Sequence, residues 1–115
     1  MTEAQCRAIV WDRDEGKDRA TGIPVYRAHE CLNLQHLGEV HHLKGRRVMP
    51  EWKKDPDRQV LLSHAHHELA TGTWGGKLLK LLDPDDPTMP ATDARKPILF
   101  VRVDKHGTEL WRTIR

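Results

Sequence analysis

Gly38-Glu39-Val40-His41-His42-Leu43 and, further along, Val60-Leu61-Leu62-Ser63-His64-Ala65-His66-His67 are the two stretches on which the fold turns. The first reads as a strand that ends at Lys44-Gly45-Arg46-Arg47. The second begins as an apolar anchor, after which Ser63 is an N-cap for a helix from His64 to about Ala70, closed by Gly72. Between them Pro50 and Pro56 make residues 44–57 a loop, with room for a helical turn around Glu51 to Lys54. Neighbouring strand residues point to opposite faces, so His41 and His42 cannot both chelate one ion from the same side. At a strand end, however, one imidazole can bind a metal while the other activates water. Histidines at both ends of a strand–loop–helix can form a compact one-metal site or simply be surface and core residues of a histidine-rich chain, and the helix N-terminus favours phosphate.

Outward from this centre, Cys6, Ile9 and Val10, with Ala4, Ala8 and Trp11, predict a helix from Glu3 to about Arg13, capped by Thr2. Gly16 and Gly22 bracket a turn-rich stretch. Ile23 to Ala28 then reads as a short strand that could pair with residues 39–43 as a hairpin, with Pro24 at its start or at a sheet edge. Lys77 to Leu82 is apolar but too short to separate helix from strand. Residues 83–97, with four prolines and four aspartates, predict a loop or linker. Ile98–Val103 and Thr108–Ile114, joined by Asp104-Lys105-His106-Gly107, predict a C-terminal β-hairpin. The expectation is one α+β domain over residues 1–115, with a central motif at about 38–72 and a β extension at about 77–115.

Length supports a single domain, and 31% charged against 37% hydrophobic residues describes a globular chain. No apolar run approaches a membrane span, and the first residues lack the layout of a signal peptide, so a cytoplasmic protein without membrane contact is expected. Cys6 and Cys31 form no CxxC pair and predict buried free thiols. Residues 40–82 carry eight Lys/Arg against four Asp/Glu, whereas residues 1–39 carry five against seven. Positive charge therefore surrounds the histidine-rich middle, where it can neutralise phosphates. Trp52, Trp74 and Trp111 are residues that stack on bases, although in a small domain tryptophan more often packs in the core.

The run Glu39-Val40-His41-His42-Leu43 with Gly45-Arg46-Arg47, then Asp57-Arg58-Gln59-Val60-Leu61-Leu62-Ser63 and His67, resembles the HNH endonuclease motif. Trp11-Asp12-Arg13-Asp14-Glu15-Gly16 and Arg19-Ala20-Thr21-Gly22 look like that family's entry segment, so the resemblance covers roughly residues 6–72. It implies a ββα-metal fold and hydrolysis of phosphodiester bonds in DNA with one divalent ion. Magnesium or manganese is expected; zinc, nickel and cobalt also suit histidine ligands. Position by position it implies His42 as general base, His41 and His67 as metal ligands, and Glu39 as a brace of the site. Arg46 or Arg47 would meet the phosphate, with Lys44, Arg58 and His64 as further nucleic-acid contacts. Small proteins of this kind are often encoded by phages or mobile elements, and some act beside a terminase during genome packaging.

The departures from the pattern are specific. Arg58 stands where the family has its middle asparagine, which braces the loop, and the neighbouring Asp57 is the candidate for that role. Asp18 and Thr21, and Ser63 and His66, stand where many relatives place two cysteine pairs around a structural zinc. Helix packing and the C-terminal hairpin must then replace that zinc. Arg58 favours a rival reading, a degenerate relative that binds nucleic acid or a protein partner without cutting it. A purely structural metal module is disfavoured, because such sites want four protein ligands and usually cysteine.

Overall fold

The first helix forms where the apolar spacing places it. In the computed structural model, which describes residues 1–43, 50–72 and 75–115, α1 spans Glu3–Arg13. Its start is a capping box: the Gln5 N–H donates to Thr2 Oγ1 at 3.1 Å and the Thr2 N–H to Gln5 Oε1 at 2.8 Å. Cys6 and Val10 point inward, and Val10 packs with Val25 and Leu61 under Trp11 and Val40.

Among the described residues, six strands follow in two antiparallel sheets. β1 (Gly38–His42) pairs with β2 (Gln59–Ser63), from Gly38 opposite Ser63 to His42 opposite Gln59. Alternation divides β2 between two cores: Leu61 joins the α1 cluster, while Val60 and Leu62 enter the main core with Ala70, Leu79, Ile98 and Phe100. Burial on both faces explains why this strand is a continuous apolar run instead of an alternating one. Ser63 then caps α2 (His64–Thr71), its hydroxyl accepting from the His66 N–H at 3.2 Å, and Gly72 ends the helix at φ 87°.

The C-terminal sheet has the order β4-β3-β5-β6, built from β3 (Leu79–Asp83), β4 (Asp86–Pro90), β5 (Leu99–Val103) and β6 (Glu109–Ile114). Phe100 on one face meets α2 and β2 through the main core; Leu99, Val101 and Val103 form a smaller cluster on the other. Among the described residues the protein is therefore a mixed α+β chain of two α-helices and two antiparallel sheets.

Three expectations are corrected. The strand read at Ile23–Ala28 does not form: this segment contributes only isolated bridges, Lys17 with Pro24 and Tyr26 with Leu37. β1 consequently pairs with β2 and not with that segment, because the fully apolar Val60-Leu61-Leu62 buries more surface than a stretch carrying Pro24. The C-terminal hairpin exists as β5–β6 but belongs to a larger sheet. Lys77–Leu82 contributes β3, and Asp86–Pro90, inside the segment read as a loop, is strand β4. Its prolines are tolerated because β4 lies at the sheet edge, where a missing N–H breaks no ladder.

Candidate metal centre and its cleft

Strand alternation separates the two tandem histidines. His41 shares the β1 face of Glu39 and turns toward α2, where its ring meets that of His67 edge-on, centroids 5.3 Å apart. His42 shares the face of Val40 and lines a cleft of about 320 Å³. That cleft lies between β1 and α1, and its walls include Arg7 and Trp11 from α1, Glu39 and His42 from β1, and His67 from α2. The general base and the second ligand implied by the resemblance thus face one space, with the first ligand against His67.

His41 is half-buried, and burial, reinforced by the neighbouring His67, His42 and Lys77, lowers its pKa to about 3. A histidine held neutral keeps a ring lone pair available at ordinary pH, which is what a metal ligand requires. His67 turns Nδ1 toward Glu39 Oε1 at 3.5 Å, which directs Nε2 the other way. A carboxylate behind the ring fixes orientation and tautomer, the usual support of a metal-ligating histidine.

Glu39 is bound more tightly by His64, whose Nδ1 donates to Glu39 Oε1 at 2.5 Å while Nε2 faces Glu68 Oε1 at 2.9 Å. With a carboxylate at each ring nitrogen, His64 anchors Glu39 to α2, and neither nitrogen is turned to a phosphate. Arg58 is also engaged internally: its guanidinium donates to the Thr92 carbonyl, lies 4.5 Å above the Trp52 ring and pairs with Asp55 at 3.7 Å. Trp111 packs edge-on against His66, at 6.1 Å, and against the main core. Lys44, Arg46, Arg47 and Trp74 lie outside the described residues. Among the described residues no group of three or more His, Cys, Asp or Glu side chains is arranged around a common metal position.

The loop bracing expected of Asp57 falls to its neighbours. Among the described residues the Asp57 carboxylate reaches only Arg95, at 3.6 Å, and is half-exposed. Gln59, buried at the start of β2, donates from Nε2 to the carbonyls of Trp52 and Lys53 at 3.1 and 3.0 Å and accepts from the Cys6 thiol at 3.3 Å. Asp55 caps the short turn at Pro56–Arg58 by accepting from the Asp57 N–H at 3.0 Å. A side-chain amide at the opening of an apolar strand is the signal in the sequence; it stands one residue after Arg58, the place of the family's asparagine.

Asp18, Ser63 and His66, noted in sequence as positions without cysteine, converge. Asp18 is 1% exposed; its Oδ1 accepts from the Ala20 N–H at 2.7 Å, and its Oδ2 from the Ser63 N–H at 2.9 Å and His66 Nδ1 at 2.6 Å. Burial alone would raise the Asp18 carboxyl, but the hydrogen bond and charge of His66, with donation from Ser63, hold it below its ordinary value. The entry segment and α2 are thus joined by a carboxylate–imidazole clasp.

The chain matches no family model, no curated protein and no solved structure.

Proposed function

We propose that this chain is a metal-dependent endonuclease of the ββα-metal, HNH-like type that hydrolyses phosphodiester bonds in DNA. The observation that carries the reading is the His41–His67 pair, supported behind by Glu39 and opening beside the His42 cleft. Two imidazoles sharing one ion through nitrogens about 2.1 Å from it stand with centroids about 5 Å apart, so the observed 5.3 Å suits a shared ion. Neutral imidazole nitrogens favour zinc, nickel or cobalt, whereas magnesium or manganese would depend on water and phosphate oxygens for most of its shell. Such an ion would supply charge stabilisation at the phosphate and at the leaving oxygen.

The chain's own residues do the rest. His42 takes the proton of the attacking water onto a ring nitrogen as that oxygen adds to phosphorus and an ester P–O bond breaks. His41, held neutral by burial, and His67, oriented by Glu39, keep ring lone pairs available for the ion. His64 and Glu68 hold Glu39 in place, so the histidine geometry is set before substrate arrives.

Arg58, standing where the family has its middle asparagine, favours one rival, a relative that binds nucleic acid without cutting it. Metal-stripped protein incubated with supercoiled plasmid, with magnesium, manganese, nickel or zinc restored in turn, separates the two. Ion-dependent nicking that disappears in His42→Ala supports the nuclease; a folded protein that binds DNA and cuts with none of the ions establishes the rival.

A further inference from the structure

Among the described residues, charge pairing inside the cleft leaves Arg7 over. Glu3, Arg7 and Trp11 stand at four-residue intervals on α1 and line the same wall. Glu3 is paired with Lys53, another cleft residue, at 2.9 Å, and Glu39 is held by His64 at 2.5 Å with His67 at 3.5 Å. Arg7 is exposed and, among the described residues, has no hydrogen-bond or ion-pair partner. A cation left unpaired in a cleft whose carboxylates are already engaged is complementary to an anion brought by the substrate. Its planar fork of donors matches the two non-bridging oxygens of a phosphodiester.

We propose that Arg7 is a substrate-positioning residue that receives a backbone phosphate of nucleic acid in this cleft, seating the strand beside His42 and His67. The assignment deepens the nuclease reading and rests on it for the identity of the reaction, but the binding role does not need cleavage to be observed. It also differs from the sequence expectation, which drew its described contacts from Arg58 and His64, two side chains now engaged inside the protein. Arg7 lay outside the motif, and its position on the cleft wall follows only from the packing of α1 against β1 and β2.

The test is the binding of a short fluorescently labelled DNA duplex in chelator, across a salt series, by wild type, Arg7→Gln, Arg7→Lys and Lys105→Gln. Lys105 lies in the β5–β6 turn outside the cleft and controls for the general loss of one positive charge. Because Arg7 is exposed, its variants are expected to fold, which circular dichroism checks. Arg7→Gln should bind about tenfold more weakly, with the slope of log K against log salt reduced by about one. Arg7→Lys should recover part of the affinity, and Lys105→Gln should behave as wild type. Arg7→Gln matching wild type, or Lys105→Gln losing as much, overturns the proposal, as does a wild type that binds no DNA. Arg7-dependent binding in a protein that cuts with no ion would uphold Arg7 while removing the nuclease reading.

Discussion

Replacing Asp18 with alanine removes the carboxylate on which the entry segment, the end of β2 and the start of α2 converge. Three donors lose their acceptor: the Ala20 N–H, the Ser63 N–H and His66 Nδ1. Ala20 is 1% exposed, so its N–H has little access to water as a replacement, whereas Ser63 and His66 are only half-buried and can be partly rehydrated. A buried donor left unsatisfied costs about 1–3 kcal/mol, and breaking a buried, charge-assisted pair costs about 3–5 kcal/mol. Counting Ala20 fully and the other two in part gives a loss of about 3–5 kcal/mol. Such a loss is a large share of the roughly 5–15 kcal/mol that holds a domain of this kind together. Urea unfolding at neutral pH, in chelator so that no ion contributes, reads the difference from the midpoint at unchanged m. The pH dependence has a definite sign. Because the folded carboxyl lies below its unfolded value of about 3.9, its contribution is fully present above that value and is lost as pH falls through the folded one. The gap between wild type and variant should therefore persist at neutral and mildly acidic pH and close only in strong acid. A loss below about 1 kcal/mol at neutral pH would refute the clasp as a structural anchor between the entry segment and α2.

Other variants separate neighbouring roles. Gln59→Ala should destabilise by about 2–3 kcal/mol, since it orphans two loop carbonyls and the Cys6 thiol, while Asp57→Ala should stay within about 0.5 kcal/mol; the same urea titration compares them. Gly38→Ala brings a methyl group to 2.5 Å from the Trp11 ring and 2.8 Å from Val25, and should lower stability by about 1–3 kcal/mol with a shift in tryptophan emission. In metal-free protein the His41 ring signals in NMR should not titrate between neutrality and pH 5, since the ring protonates at about 3. Its folded pKa lies below the unfolded value of about 6.5, so its contribution to stability is fully present above 6.5 and declines as pH falls toward 3.

Much of the local structure was legible because it depends on nearby residues. Thr2 and Gln5 start α1, Ser63 and Gly72 bound α2, and the short turn at Pro50–Lys54 falls where the prolines leave room for it. Pairing was not legible in the same way. Which partner β1 takes depends on two separate hydrophobic clusters that collect Leu61 on one side and Val60 and Leu62 on the other. Nor did composition reveal β4, where prolines and aspartates imply a loop until an edge position makes them acceptable. Within the candidate site, the histidines were visible by type and spacing, but the partners of Glu39, Arg58 and His66 were not. Long polar side chains select partners across the fold, and sequence distance carries little of that choice. Gln59 shows the limit most plainly: bracing was expected of Asp57, and the structure finds it on the side-chain amide of Gln59, two residues along.

The most direct measurement of the central claim is plasmid cleavage by wild type and His42→Ala, each first metal-stripped and then loaded with the same divalent ion, with metal content determined on the same samples. The account predicts that both proteins bind the ion, that wild type cuts only when loaded, and that His42→Ala cuts about 10²–10⁴-fold more slowly. Equal cutting by the two proteins would contradict His42 as the base, and no cutting by loaded wild type would contradict the nuclease itself.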